Sequence, residues 1–579
     1  MSLKLSVIFT NLENCLSMSL LRKKDIHNLI VDQEAGLEDG HHHGLKKVLG
    51  VRDLTFMGIA AIIGAGIFST IGAASFNGGP GIAFLFIITA ITCGFCALCY
   101  AEFASRVPIA GSAYTYAYIS FGEIVAWIIG WALILEYAIS NIVVAISWSG
   151  YFNNLLLGLG IHLPEWLLTD PSTAAKTFEE AQQLLKAGRQ PLTEPMQAAI
   201  AAINHAPLVA GYHFIINLPA FIIVVLITAL AYIGIKESKK MTNFMVIFKI
   251  AVIIFIIVLG FFYVKPENWH PFLPHGFTGV LAGVSAVFYA YIGFDAVSTT
   301  AEECKNPQRD LPKGMIYSLI ICTILYVLIA LVLTGMVKYT ELKVTDPLAY
   351  VFDRLNLKWI GYIISISAVV ATTSALLVFQ LGQPRIWMSM SRDGLLPKSF
   401  ARVHKRFHTP GFGTIVTGLL VGIPTLFVPS NVMTDLTSIG TLFAFVIVCF
   451  GVLILPQLKQ DSNVSQFKLP YINGKYILPV IAVVFIFLFH ERIFEDVTAF
   501  STKGYQETLF LLFIVIVLIV TIITFRRNYS IIPIVGALCC LYLMTEIPAI
   551  SWMWFFVWMA IGLCIFFLYG RKHSKLKHL

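Results

Sequence analysis

The sequence predicts an all-α polytopic membrane protein: two five-helix repeats of inverted topology followed by four further helices, about fourteen transmembrane helices in all. Three observations carry this. Of 579 residues, 58% are hydrophobic and 12% charged, far more apolar than a soluble globular chain. Runs of about 20 apolar residues recur along the chain at the length that spans a bilayer. The first and the sixth of these runs are each broken by glycine near the middle, at corresponding positions of two five-helix halves.

In order, the spans run near 53–74, 81–105, 122–157, 213–235, 241–264, 277–303, 312–337, 358–391, 411–428 and 431–457, then 475–491, 508–526, 530–548 and 551–570. The first starts at Asp53, a plausible N-cap. It reaches Ile62-Ile63-Gly64-Ala65-Gly66-Ile67-Phe68 after about 16 Å of rise, near the bilayer midplane. Glycine weakens a helix interior, and backbone groups freed inside a bilayer are tolerated where they line a protein cavity. An unwound turn there leaves a partly negative carbonyl end and a partly positive amide end, a pair suited to an ammonium and a carboxylate. The other reading of Gly64 and Gly66 is close helix packing. The sixth span repeats the device in Phe288-Tyr289-Ala290-Tyr291-Ile292-Gly293-Phe294-Asp295, which places a binding site between two antiparallel broken helices.

Two ionisable residues lie deep in spans. Glu136 stands about 20 Å into the third and Lys249 about 10 Å into the fifth, depths at which a charge is costly and signals function. Asp295 reads either as the cap of the inner half of the sixth span or as a polar ligand and proton carrier. Thr372, Thr373 and Ser374 form a polar cluster in the eighth span that either faces the cavity or bonds its own preceding turn.

The bias of Lys and Arg orients the chain. With the N-terminus inside, the inner loops collect Lys46, Lys47, Lys236, Lys239, Lys240, Arg392, Arg402, Lys405, Arg406, Arg526 and Arg527, so both termini are expected in the cytoplasm of a cell whose inner or plasma membrane the chain crosses many times. Residues 1–44 read as a cytoplasmic tail, and 162–212 as an outer insert of two short amphipathic helices. The net charge of +8 is spread over short loops, which fits topology and not nucleic-acid binding; the bilayer is the partner, and no protein partner is legible. None of the ten cysteines falls in an outer loop, so neither a structural disulfide nor a metal is assigned. The spans contain no nucleophile–His–acid set, phosphate loop or metal cluster, so no enzyme and no cofactor are expected.

At Gly64-Ala65-Gly66-Ile67-Phe68, Tyr100 to Tyr118, Asn217-Leu218-Pro219-Ala220, Gly293 to Glu303 with Asn306-Pro307-Gln308, Gln383-Pro384-Arg385 and Ser391-Arg392-Asp393-Gly394-Leu395-Leu396-Pro397, the chain resembles the amino acid-polyamine-organocation superfamily, and within it the cationic amino acid transporter family. The resemblance runs from about Leu45 to the C-terminus. It implies a sodium-symporter-like ten-helix core over 45–457 (repeats 53–264 and 277–457), four additional helices over 458–579, and secondary transport of cationic or small neutral amino acids by alternating access. By the same resemblance the backbone around Gly64, Ala65 and Gly66 receives the substrate carboxylate and carbonyls near Ile62, Ile63, Tyr289 and Ile292 its ammonium, with Ile67, Ala290 and Gly293 also in the substrate-binding set. The gate is Phe288 or Tyr289, with Tyr289 favoured. Lys249 matches a lysine of proton-coupled relatives, Asp295 stands as a possible proton carrier, and Glu136 either compensates Lys249 or attracts a cationic side chain. An exchanger is one alternative, and a non-transporting amino acid sensor of the same fold is another.

Overall fold

The computed structural model describes residues 22–24, 45, 47–186, 193–209, 211–281, 283–342, 344, 346–455, 467–498 and 505–578. Most of the tail 1–44 and part of the insert 162–212 therefore lie outside the described residues.

Apart from a two-residue ribbon pairing β1 (Leu208–Val209) with β2 (Tyr212–His213), the described chain is helical. Among the described residues, eight helical stretches are long and apolar enough to cross a membrane, and four shorter apolar helices accompany them. The chain starts with α1 (Val51–Ile62), a π-helical turn (Gly66–Thr70) and α2 (Ile71–Gly78). It continues with α3 (Ile82–Arg106), α4 (Ala113–Ser120) and α5 (Glu123–Gly158). At 36 residues α5 is about 54 Å long, well beyond the ~30 Å hydrocarbon core. The insert forms α6 (Pro171–Lys186) and α7 (Glu194–His205), both amphipathic, as their sequence pattern indicates.

Next come α8 (Leu218–Ile233), α9 (Ile235–Phe261), α10 (Gly276–Leu281) and α11 (Val284–Tyr289). A run of turns leads from α11 to a 3-10 helix over Asp295–Glu303. The second half then contains α12 (Pro307–Met336), α13 (Pro347–Arg354), α14 (Lys358–Arg392), α15 (Gly411–Thr425) and α16 (Ser430–Ile454). After it follow α17 (Gly474–Leu488), α18 (His490–Thr498), α19 (Tyr505–Arg527), α20 (Ile531–Thr545) and α21 (Ala549–Ile565).

The N-cap of α1 lies three residues before Asp53. Gly50 is the N-cap, and Asp53, at the third helical position, bonds back to the Gly50 amide (3.0 Å). Lys239 and Asn243 of α9 fix the same carboxylate (2.8 and 2.9 Å), so Asp53 ties α1 to α9 instead of starting it.

The two broken segments lie against each other. At one end the stretch before α1 bridges the end of the 3-10 helix, with the Leu49 amide on the Glu303 carbonyl (3.0 Å) and the Lys305 amide on the Leu49 carbonyl (2.9 Å). At the breaks glycine is required by contact: a Cβ on Gly66 would stand 2.5 Å from the Ala290 Cα, and one on Gly293 would stand 2.6 Å from the Ala61 Cβ. Gly293 also has φ +119°, which a side chain would strain. The same residues thus break the helices and let them touch. Around this pair α5 packs on α14 and α16, and α12 packs on α1 and α3. Helices α20 and α21 lie outside α16.

Overpacking a close backbone contact costs about 1–3 kcal/mol. Gly66→Ala is therefore expected to lower the thermal unfolding temperature of the purified protein, while Gly94→Ala, with open space around it, leaves that temperature unchanged. Equal temperatures for the two variants would contradict the contact.

Candidate functional site

The first break begins where α1 loses its ladder. Ile63 departs from helical geometry (φ −81°, ψ 84°), and the Gly64 amide turns back to the Ile62 carbonyl (3.0 Å). The last carbonyls of α1 then need other donors. Lys249 of α9 supplies three hydrogens to three acceptors: the Ile63 carbonyl (2.7 Å), the Ala60 carbonyl (3.2 Å) and the Ser374 hydroxyl of α14 (2.9 Å). A fixed cation thereby sits on the partly negative end of the half-helix, the favourable sign for a helix C-terminus. Tyr326 of α12 sits between the two breaks, its hydroxyl 2.8 Å from the Ile62 carbonyl and 2.9 Å from the Ala290 carbonyl. Its single hydrogen serves one of them at a time. Beyond the break, the Tyr151 hydroxyl donates to the Phe68 carbonyl (2.7 Å) and Thr70 to the Gly66 carbonyl (2.7 Å).

The amide end of the outer half-helix opens on a small cavity between the two breaks. Ala61, Ile62, Gly64, Ala65 and Gly66 form its first wall, and Tyr289 and Ile292 the facing wall from the second break. Ser140 and Val144, one turn apart on α5, and Phe379 of α14 close it. No charged side chain lines it. The Ser140 and Tyr289 hydroxyls are buried and, among the described residues, have no hydrogen-bond partner, so two polar groups stand at the cavity.

Of the residues expected at the site, Ile62, Gly64, Ala65, Gly66, Tyr289 and Ile292 line this cavity; Ile63, Ile67, Ala290, Gly293 and Glu136 do not. Ile63 offers its carbonyl to Lys249, and Ala290 and Gly293 make the contacts between the broken helices. Phe288 packs on Phe445 (ring centroids 6.1 Å apart) and does not line the cavity, so of the two gate candidates Tyr289 is the one on its wall.

The buried charges separate into two groups. Among the described residues no ion pair joins Lys249 to Glu136 or Asp295. Glu136 lies one turn below Ser140, and among the described residues neither carboxyl oxygen is hydrogen-bonded; the Thr441 hydroxyl lies alongside but donates to the Thr437 carbonyl (3.1 Å). Asp295 is the first residue of the 3-10 helix, preceded by Phe294 as N-cap, and the Tyr137 hydroxyl approaches its Oδ2 at 3.4 Å. Glu136, Tyr137 and Asp295 therefore form one acidic cluster beside the second break, while Lys249 serves the first.

Sequence reasoning missed Tyr326, Ser140, Val144 and Phe379, which stand in apolar runs with nothing to mark them. In the hydroxyl cluster of α14, Thr372, Thr373 and Ser374 each donate to their own preceding turn (2.6, 2.7 and 2.7 Å to the Ala368, Val369 and Ala371 carbonyls), while Thr373 also accepts the Trp148 indole N–H (2.9 Å) and Ser374 accepts from Lys249.

A family model described as amino acid permease matches residues 49–522, and another, the C-terminus of AA_permease, matches 529–574. The chain belongs to the amino acid permease family. Within it, this permease falls in the cationic amino acid transporter family, and it is a secondary transporter of amino acids across a membrane and not an enzyme. It is 38% identical to the branched-chain amino acid permease BcaP of Bacillus subtilis (strain 168) over 559 residues, covering 96% of this chain and 99% of that one. It is 35% identical to the methylthioribose transporter of the same organism, again over 96% and 99% of the two chains. It is 37% identical to the vacuolar cationic amino acid transporter 2 of Arabidopsis thaliana over 77% of this chain and 64% of that one.

Lys249→Met strips three donors from one break, and each buried acceptor left unpaired costs about 1–3 kcal/mol. Thermal unfolding of the purified variant is expected well below that of Ser374→Ala, which removes one acceptor only. Equal unfolding temperatures would show that Lys249 does not hold the break.

Proposed function

We propose that this permease carries neutral amino acids with a small or branched apolar side chain, by proton-coupled alternating access through the cavity between the two breaks. The observation that carries the reading is the composition of that cavity: backbone amides of a broken helix at one end, and an uncharged wall of Ser140, Val144, Ile292 and Phe379 at the other. The amides at Gly64, Ala65 and Gly66 receive the substrate carboxylate, as helix N-termini receive anions. Carbonyls of Ile62, Ile63, Tyr289 and Ile292 receive its ammonium; each has a second lone pair to offer even where Lys249 or Tyr326 already donates. Tyr289 is the gate. A cationic side chain would find no carboxylate on the cavity wall, since Glu136 lies a turn away. The similarity to a branched-chain amino acid permease supports the same class.

Lys249 couples transport to protons. Its ammonium has three hydrogens for three acceptors, and a neutral amine has two. Losing the proton therefore breaks one tie among α1, α9 and α14, and regaining it restores that tie. Asp295 and Glu136 form a second place where a proton can be held. The architecture in this reading is fourteen spans: a core over 45–457 of two inverted repeats, 53–264 and 277–457, with the insert 162–212 outside, then four helices in 458–579. Both termini face the cytoplasm, as the Lys and Arg bias indicates.

Uptake of radiolabelled valine, alanine, arginine and lysine into liposomes, under a pH gradient with or without sodium, tests the reading. Valine and alanine are expected to accumulate without sodium, and Lys249→Met to lose gradient-driven uptake. Accumulation of arginine or lysine in preference to valine would overturn the substrate class, and undiminished gradient-driven uptake by Lys249→Met would remove the lysine from coupling.

A further inference from the structure

The two ends of the described chain meet, 554 residues apart in sequence. Arg22 donates through Nη1 to the Leu576 carbonyl (2.9 Å), and the Arg22 carbonyl accepts the amide of Glu123, the first residue of α5 (3.0 Å). Ser574 donates to the Glu123 carboxylate (2.9 Å). At the end of α14, Lys24 pairs with Asp393 Oδ1 (2.5 Å) and the Tyr114 hydroxyl of α4 donates to Asp393 Oδ2 (2.7 Å). The Lys575 amide donates to the Asp393 carbonyl (3.1 Å). Each tail thus touches both the start of α5 and the end of α14, and the tails touch each other.

Those two helices carry Ser140, Val144 and Phe379 of the cavity wall. The same end of the molecule holds the second broken segment against α14 by ion pairs: Glu303 with Arg385 (2.6 Å), both almost fully buried, and Glu302 with Arg392 (2.7 Å). Ser389 of α14 donates to the Ala110 carbonyl (2.7 Å) and closes the gap beside them. For this end to open, the second broken segment must part from α14, and the tails lie across the place where α14, α4 and α5 converge.

The bonds that join the tails are polar. Lys24 and Asp393 are 15% and 10% exposed, so their pair is shielded enough to hold but near enough to water to be exchanged for hydration. A join of this kind breaks and reforms at modest cost, as a moving element needs, whereas a large apolar seam would not. Leu576 adds an apolar anchor on the C-terminal side by packing on the main core.

We propose that the segments Arg22–Lys24 and Ser574–Leu576 form a clasp that holds this end of the permease closed and sets how fast it opens. The clasp acts on the scaffold and takes no part in substrate recognition. Cutting the N-terminal half of it therefore raises the opening rate and leaves the cavity intact.

The test uses the full chain in liposomes, with Ser389→Cys as a reporter and a water-soluble maleimide as the probe. Labelling is counted above that of the same protein with Ser389 intact, to remove the contribution of its own cysteines. Adding Arg22→Ala and Lys24→Ala is expected to raise the labelling rate at least threefold, while Lys24→Arg, which keeps the charge, leaves it at the parent rate. Equal or slower labelling in the Arg22→Ala/Lys24→Ala protein, in a monodisperse sample, would overturn the proposal, as would equally fast labelling with Lys24→Arg. No substrate enters this measurement, so a failure of the clasp and a failure of the proposed substrate class are separate results.

Discussion

A helix cannot come apart inside a membrane unless something else satisfies the groups it exposes, and in this permease that something is the Lys249 ammonium. It bonds the Ile63 and Ala60 carbonyls and Ser374 together, joining α1, α9 and α14 at one point. The rest of the site depends on that support. With the carbonyl end held, the chain can turn at Gly64 and restart at Gly66, and the restarted half presents its amide end to the cavity. Tyr326 and Tyr151 extend the same principle to the Ile62, Ala290 and Phe68 carbonyls. The break is a substitution of side-chain donors for a lost turn of backbone ladder.

The two breaks are also packed as one body. Gly66 rests on Ala290 and Gly293 on Ala61, so neither broken segment shifts at midplane without the other. At the end near residue 303 the constraint is ionic: Arg385 is held by both oxygens of Glu303 (2.9 and 2.7 Å), a bidentate pair with scarcely any exposure. Breaking such a pair by removing one partner costs about 3–5 kcal/mol, so it fixes the relative position of the second break and α14. Between these anchors lies the acidic cluster of Glu136, Tyr137 and Asp295, where among the described residues the Tyr137 hydroxyl is the side-chain donor to Asp295 and the Glu136 carboxyl oxygens have none.

Much of this was legible in the residues. Gly64 and Gly66 in an apolar run mark a break because two glycines within one turn weaken a helix interior, and Lys249 and Glu136 stand out because charge is costly at their depth. What the sequence could not supply was direction. Whether Lys249 meets Glu136 or a backbone carbonyl depends on how α9 and α5 are rotated, and hydropathy gives no rotation when all faces are apolar. Tyr326 is invisible for the same reason: one tyrosine in α12 resembles any other buried aromatic until the chain folds two carbonyls onto its hydroxyl. Asp53 misled about the start of α1 by a full turn of logic, since an acidic residue at the third helical position satisfies the same amide that an N-cap would expose. The quoted motifs around Glu302, Glu303, Arg385 and Arg392 identified the family, and only the structure pairs them.

The most direct test of the account is an experimental structure of the permease with valine bound. The substrate carboxylate is expected within about 3 Å of the amides between Gly64 and Ile67, with its side chain against Val144 and Phe379. Valine bound in another cavity, or bound here with its carboxylate turned away from those amides, would contradict the claim that the break supported by Lys249 is the binding site.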